Sequence, residues 1–513
     1  MKWFIKILFI SIIVWPSVLL GQTYFNMRYP PEPGTWGSGS RSVEVSENNY
    51  FTNRWSISNS TSFPQVSYCK IDSLDFSILE ISSLIDTTQN TVFGHMTKLS
   101  NGMFVEAASV MKYSTLEQSY GVIKFDSLGV VSSYIDTSIY IYIYIHAVKE
   151  LPNKDLVLVG TIKESTGSFN KQKAVLIKTD SVGHQIWKKT YKMSSFAWNG
   201  ESIALCPDGG FIIGGAEINY TTSDPFTRPL VIKVDSNGTR QWHRYFGSLI
   251  HSNMPAYGIT NTLDGGYAFV GGVGLPHWGG TPTSGTSPWV VGLNTNGNII
   301  WADTNTPEQA VSNSDNYYTD IELLTDSSLI ISGQRDIWDS GNIGPAKFRK
   351  HGVLAKYSIT GESAWVRNYR HPEVPNEWYV KHLLFDVDPT PDGGFVAIGW
   401  LNPSNDNTQD TWMIKVDSFG CLVKGCEVTS VPQIESSVAQ VNIYPNPASD
   451  IIHFDITPNG NQQSYELALY DMLGRLVLTQ TLHPHDNTIS VGQLKPGVYN
   501  YRLRETWGSF VVE

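Results

Sequence analysis

Apolar runs of about strand length, broken by Gly, Asn and Asp, recur along most of the chain. The pattern is clearest from Asp208 to Gly247. Pro207-Asp208-Gly209-Gly210 introduces Phe211-Ile212-Ile213-Gly214-Gly215. After a polar loop, Val231-Ile232-Lys233-Val234-Asp235 leads through Ser236-Asn237-Gly238 into Thr239-Arg240-Gln241-Trp242-His243-Arg244-Tyr245. Gly, Asn and Asp supply the positive φ and the local side-chain bonds that tight turns need, so this stretch predicts an antiparallel meander.

The third-strand turn of that meander is repeated. Its Asp-equivalent positions are Asp72, Asp126, Asp180, Asp235, Asn294, Ser358 and Asp417, seven copies at steps of 54, 54, 55, 59, 64 and 59 residues. Gly stands three residues later in six of them (Gly129, Gly183, Gly238, Gly297, Gly361, Gly420), and Asp75 replaces it in the first. In four copies a Trp follows four residues after that Gly: Trp187, Trp242, Trp301 and Trp365. A four-stranded unit repeated in this way cannot bury its faces alone. Packing of the units around an axis predicts an all-β, seven-bladed β-propeller.

The seventh repeat lacks a fourth strand: after Gly420 come Cys421-Leu422-Val423-Lys424-Gly425-Cys426. At the other end of the chain, Phe25-Asn26-Met27-Arg28-Tyr29 has the aromatic-to-Tyr spacing of Trp187 to Tyr191 and of Trp365 to Tyr369. The expectation is that this N-terminal strand closes the last blade and so removes an exposed seam. The first blade starts near Arg41, the second spans about Thr91 to Ile135, and the third opens on the strict alternation Ile139-Tyr140-Ile141-Tyr142-Ile143-Tyr144-Ile145. Exposed alone, such a strand invites aggregation, which places it at a blade-to-blade contact.

Turns after first and third strands are short (Asp264-Gly265-Gly266, Asp392-Gly393-Gly394, Asn296-Gly297). Connections after second and fourth strands are long (Asn219 to Arg228, Gly274 to Ser287, Arg335 to Lys350, Thr304 to Tyr317, Arg370 to Val380). In an up-down meander these fall on opposite rims, and the elaborated rim is the expected binding face. It carries His251, His277, Trp278, Tyr317, Trp338, His371, Trp378 and Tyr379, rings that suit a glycan or a protein surface or that simply pin loops to the blades.

Composition narrows the function. A net charge of -11 and a pI near 5.6 argue against nucleic acid. Lys2 and Lys6 before the apolar run Ile7 to Leu20, ending in Gly21, predict a secretory signal over residues 1-21, with Gln22 the first mature residue and no transmembrane segment after its removal. Of the four cysteines, Cys421 and Cys426 could close a small loop, while Cys69 on a third strand and Cys206 on a first strand read as buried small hydrophobes.

Catalytic signatures are missing: no nucleophile elbow, zinc helix or phosphate loop occurs. Asn405-Asp406-Asn407 and the stretch from Asp315 to Asp320 do not follow a calcium-loop spacing. No catalytic, cofactor-binding or metal residue is therefore assigned.

The stretch Ala355-Lys356-Tyr357-Ser358-Ile359-Thr360-Gly361-Glu362-Ser363-Ala364-Trp365 resembles the tryptophan-docking motif of pyrroloquinoline-quinone propellers, which implies that Trp from one blade packs on the next blade's turn. The adjacent Cys-Cys pair of the quinone dehydrogenases is absent, so the resemblance implies packing without the cofactor. The Asp-box of sialidases is not matched.

After a polar linker at 428-438, residues 439-513 form a compact unit that reads as a small Ig-like β-sandwich. Its turns are Pro445-Asn446-Pro447, Asp471 with Gly474-Arg475, and Pro496-Gly497 followed by Tyr499. These three motifs, in this order, resemble the type A C-terminal sorting domain of type IX secretion in the Bacteroidota. The resemblance implies recognition by the outer-membrane translocon and a sorting peptidase, with release or attachment to the surface. The ending Phe510-Val511-Val512-Glu513 departs from the family in lacking a terminal basic residue. The leading expectation is a secreted or cell-surface propeller, residues 22-427, that binds a glycan or protein. The alternative is a polysaccharide-degrading hydrolase or lyase with its site in the channel.

Overall fold

The computed structural model describes residues 24–31, 35–46, 49–58, 64–73, 75–84, 89–221, 225–247, 253–274, 285–304, 316–339, 347–372, 380–403, 408–423, 440–457, 464–471, 475–503 and 506–513. The signal and linker readings lie outside these residues. The chain divides into two compact units, Met1–Lys424 and Gly425–Glu513. Apart from one short 3-10 turn, Phe169–Lys171, the described regular structure is all strand.

The first unit is a β-propeller of antiparallel meanders. Ala197–Leu205, Phe211–Asn219, Phe226–Val234 and Arg240–Tyr245 form one four-stranded sheet in chain order, the stretch singled out by its hydrophobic pattern. Gly258–Asn261 to Ile299–Thr304 and Tyr317–Leu323 to Ser363–Tyr369 form the next two. Two further meanders, Gln89–Lys98 to Gly129–Ile135 and Tyr142–Glu150 to Gln185–Tyr191, are joined side by side where Ala147 pairs in parallel with His95. The sheet of His382–Pro389, Phe395–Leu401 and Asp410–Val416 has Phe25–Tyr29 as its fourth member, in antiparallel register from Phe25 with Lys415 to Tyr29 with Thr411.

The least regular sheet is built on Asn49–Ser58, whose one edge is shared by Val43–Ser46 and Thr35–Gly39. The second of these lies in a Pro-Gly segment with no strand signal. Two sequence details also differ. The alternating run begins as regular strand only at Tyr142; Tyr140 makes an isolated bridge to Gln118, and Ile139 and Ile141 are exposed. Cys206 is buried but sits just past the end of Ala197–Leu205.

The middle strands are apolar at nearly every position because each sheet is covered on both faces. Leu156–Lys163 and Phe395–Leu401 are buried almost throughout. Apolar clusters lie between successive sheets. Val105, Tyr120 and Val122 pack with Ile143, Ile145 and Leu158, so the aliphatic face of the alternating strand does meet the neighbouring sheet. Val396, Ile398 and Met413 pack with Val43, Tyr50 and Ile71, and Phe25 and Tyr29 belong to that cluster.

The repeated Trp contributes to the same contacts from outside. Trp301 donates its indole N–H to the Ile359 carbonyl at 2.7 Å, and Trp365 donates to Ser418 at 3.2 Å, each on the following sheet's turn. Glycine is required there. Gly297 has φ +76°, and a Cβ at this position would lie 2.6 Å from the Trp242 ring.

The second unit has two antiparallel sheets around one core. Gln440–Tyr444, Ile451–Thr457 and His485–Ser490 form one; Leu476–Leu482, Tyr465–Tyr470, Gly497–Leu503 and Thr506–Val512 form the other. Phe454, Leu467, Leu469, Tyr501 and Phe510 lie between them.

Candidate functional site

The first strand of each meander, together with Val43–Ser46, contributes to a single cavity of about 320 Å³. Residues from Val43 and Glu44, His95 to Lys98, Ala147 to Lys149, Glu201 to Ala204, Tyr257 to Thr260, Asp320 to Glu322 and Asp386 to Pro389 line it. Most of these lie in the C-terminal halves of their strands, toward the short first turns and away from the long loops.

A local irregularity aims the side chains. Five of these strands shift register against their partners, between Phe93 and Met96, Ile145 and Ala147, Gly200 and Ser202, Tyr318 and Asp320, and Leu384 and Asp386. Each extra residue is a β-bulge that bends the strand and re-aims the next side chains along it. The bulges fall at His95, His146, Glu201, Thr319 and Phe385, at or immediately before the lining positions. The second strand makes room with glycine: a Cβ on Gly399 would collide with the Leu383 carbonyl oxygen, and one on Gly215 with that of Asn199.

The lining is acidic. Glu44, Glu201, Asp320, Glu322, Asp386 and Asp388 all border the cavity, and the cations beside them are Lys98 and Lys149; burial disfavours the charged form of the neighbouring His95. Asp386 accepts from Val43 N at 2.8 Å and Asp388 from Val45 N at 2.7 Å, so alternate carboxylates pin alternate residues of the adjoining short strand. The Glu201 carboxylate meets His146 Nδ1 at 2.7 Å, and His95 Nδ1 lies 4.0 Å from Asp386.

Crowding shifts the protonation of these groups. Burial, with Asp386 and Glu322 beside it, raises the Asp320 carboxyl well above the usual range. Burial and the neighbouring Asp388 do the same to Glu44. Burial pushes Asp388 up to about 8, and Glu322 is raised by burial and Asp386. Burial disfavours the Lys149 ammonium, but Glu322, Glu44, Asp320 and Asp386 outweigh it and hold its pKa up. The ionised forms of several acids are thus disfavoured around one amine whose charged form they favour.

Such a lining favours a ligand that brings positive charge or hydroxyl groups and disfavours an anion. Among the described residues no group of three or more His, Cys, Asp or Glu is arranged to hold a metal ion.

Of the rim residues named from sequence, Tyr317 packs on Tyr257 with ring centroids 5.5 Å apart, and His371 is buried, donating its backbone N–H to His382 Nε2 at 3.1 Å. Trp338 lies in Ser328–Asp339. His251, His277, Trp278, Trp378, Tyr379 and Asn405 to Asn407 lie outside the described residues, as does Trp338's side chain. The channel acids were not found from sequence. Their only trace is an acid alternating with an apolar residue at the end of a strand: Asp320-Ile321-Glu322, Asp386-Val387-Asp388 and Glu44-Val45.

In the second unit, Asn446 accepts from Val511 N at 2.9 Å and Ala448 bridges Val512, which fastens the Pro445-Asn446-Pro447 turn to the last strand. Asp471 accepts from Arg475 N at 3.0 Å and from its guanidinium at 2.7 Å, while Gly474 lies outside the described residues. Tyr499 donates to the Lys495 carbonyl at 2.8 Å across Pro496 and Gly497. Cys421, at the end of the first unit, is disulfide-bonded, and Cys426 lies outside the described residues.

No curated protein matches the sequence. Among solved structures the chain is similar to the polysaccharide lyase Uly1, at 10% identity over 74% of this chain and 90% of that one with a TM-score of 0.43. It is also similar to an α-L-arabinanase of Penicillium chrysogenum, at 10% identity over 76% and 97% with a TM-score of 0.41. The β-propeller domain of the Trilobed protease from Pyrococcus furiosus matches at 7% identity over 76% and 99%, also with a TM-score of 0.41. Residues 442–511 match the family model of the secretion system C-terminal sorting domain. The tail is such a sorting domain, and the protein it ends is a type IX secretion cargo, secreted or attached to the outer-membrane surface.

Proposed function

We propose that this is a secreted or surface-displayed binding protein from the Bacteroidota, built as seven sheets around one axis, with its ligand site in the central channel. Residues 1-21 act as the signal peptide, 22-427 as the propeller, 428-438 as the linker and 439-513 as an Ig-like sorting domain. In this reading Pro445, Asn446, Pro447, Asp471, Gly474, Arg475, Pro496, Gly497 and Tyr499 present the turns met by the translocon and sorting peptidase. The pairing of Phe25–Tyr29 with Asp410–Val416, and the core joining that sheet to Val43 and Tyr50, support ring closure by the N-terminal strand. The indole contacts of Trp301 and Trp365 support a packing kinship with tryptophan-docking propellers, without a quinone.

One observation carries the binding reading: six carboxyl groups converge on one cavity with only Lys98 and Lys149 as lysines along its lining. The ligand is a glycan or protein segment without net negative charge, held by hydroxyl or amine groups. The test is a glycan and peptide array probed with the mature chain and with Glu322→Gln, a variant that leaves the Asp386 and Asp388 backbone contacts intact. Binding to a neutral glycan or basic peptide, weakened by the variant, is expected. Silence throughout, or indifference to the variant, overturns it.

A second reading is supported by Asp388, whose pKa near 8 keeps it a proton donor at neutral pH. It makes the channel a hydrolytic site. Release of reducing ends from a neutral polysaccharide, abolished in Asp388→Asn, is its test.

A further inference from the structure

The loop joining Leu156–Lys163 to Lys173–Thr179, taken together with the strand ends that flank it, carries a charge opposite to that of the chain as a whole. The net charge is -11, yet this loop and the strand beside it gather Lys163, Lys171, Lys173, Lys188 and Lys192 around one carboxylate, Glu164. Glu164 is used by Lys173 at 3.0 Å and Lys188 at 3.1 Å. The other three ammonium groups bond only neutral carbonyls: Lys163 to Gly167 at 2.6 Å, Lys171 to Thr166 at 2.9 Å and Lys192 to Asn170. Among the described residues no carboxylate pairs with them. Burial and the nearby Lys173 push Lys192 below the usual lysine range, as expected for cations lacking counter-charge.

The same loop presents aromatic faces. Phe169 is 55% exposed and Tyr220, from the following sheet, 43% exposed, with ring centroids 5.7 Å apart. Exposed rings of this size are usually mobile, but these are held from behind. Asn170 accepts from Tyr220 N at 2.8 Å and donates to Asn219 at 3.3 Å, and Ser168 caps the short turn that carries Phe169. The Lys163 ammonium lies 4.7 Å from the Phe169 ring centre. A preorganised ring pair beside unpaired cations matches a ligand with an apolar sugar face and a charged acidic substituent.

We infer that this part of the elaborated rim binds an acidic saccharide chain, with Phe169 and Tyr220 stacking on a sugar ring and Lys171 and Lys192 taking its carboxylate or sulfate, while the buried Lys163 supports the Phe169 ring. The site is separate from the acidic channel, which repels such a ligand, and it stands on different residues from the proposed function.

The test is calorimetric titration of the full mature chain with oligogalacturonate, chondroitin sulfate oligosaccharide, neutral xylo-oligosaccharide and single-stranded DNA. Three variants are compared: Lys171→Gln, Phe169→Ala with Tyr220→Ala, and the channel variant Glu322→Gln. Binding of at least one acidic saccharide is expected, weakened by salt and about tenfold or more by either rim variant, with Glu322→Gln unchanged. The aromatic pair keeps the charge constant and lies on the surface, so unaltered thermal unfolding separates lost contact from lost fold. No acidic saccharide bound, equal affinity for the neutral chain, or DNA binding indifferent to the aromatic pair overturns the inference. Loss of array binding in Glu322→Gln alongside unaffected rim variants sinks this site and leaves the channel reading standing.

Discussion

The Tyr29 hydroxyl donates to the Phe76 carbonyl at 3.1 Å, across 47 residues, the bond that Tyr191 makes to Gly238 at 2.8 Å and Tyr369 to Gly420 at 2.7 Å. In each case a Tyr at the end of an outer strand reaches the turn of the next sheet. Four residues earlier, Phe25 packs on Phe76 with centroids 4.4 Å apart, where four of the repeats have Trp. The N-terminal strand therefore makes the same inter-sheet contacts as the strands inside the repeats.

Removing those contacts is expected to loosen the whole propeller. Phe25→Ala leaves a cavity in a core of buried side chains and should cost about 3 to 5 kcal/mol, while Tyr29→Phe loses one hydrogen bond and should cost about 1 kcal/mol. Urea unfolding of both variants measures this. A Phe25→Ala cost near that of an exposed residue means that the strand does not hold the ring.

The Trp-on-turn contact separates from backbone strain by comparing two glycines. Gly297 has φ +76° and the Trp242 ring against it; Gly393 has φ +81° and nothing within 4 Å. Alanine at either costs about 1 to 2 kcal/mol for its left-handed backbone. Gly297→Ala should cost about 1 to 3 kcal/mol more, because the indole must move. Equal costs would show that the indole contributes nothing to joining the sheets.

Glu106 predicts a pH dependence. It is fully buried, held by Tyr68 Oη at 2.7 Å and by Asn53, and burial raises its pKa to about 8 from the ordinary 4.5. Below about 4.5 both folded and unfolded chains keep the proton. Between 4.5 and 8 only the folded chain does, so stability falls as pH rises through this window and levels off above it. The Glu106 share is on the order of a few kcal/mol. Glu106→Gln should flatten that part of the stability curve, measured as unfolding free energy from pH 4 to 9; an unchanged slope would assign it to other groups.

Lys149 is the counter-charge of the channel. Its removal in Lys149→Met leaves Glu44, Asp320 and Glu322 with less compensation, and these acids ionise as pH rises. The destabilisation should be larger at pH 8 than at pH 5, by up to about 3 to 5 kcal/mol where a buried charge is left alone. The same loss at both values would place Lys149 outside the acid cluster.

The sheets themselves were legible because their signals are local and repeated. Asp235 to Gly238, Gly297 before Trp301 and the Phe25 to Tyr29 spacing each encode a turn or a contact that recurs, and the structure places strands there. Thr35–Gly39 was not legible: with two glycines and no apolar alternation, it is a strand only because Asn49–Ser58 offers it an unpaired edge. Ile139 and Ile141 show the reverse, an alternation that continues past the point where the partner strand ends.

Composition, turn chemistry and the tail motifs alone determine an exported all-β chain of repeated meanders ending in a sorting domain, since each arises from neighbouring residues and their backbone preferences. The channel chemistry is different. Glu44, Lys149, Glu322 and Asp388 are distant in sequence, and their protonation depends on how close their carboxyl and amine groups come once the strands converge. Electrostatic coupling falls with distance in space and takes no account of distance along the chain, so only the tertiary structure decided which acids share a site.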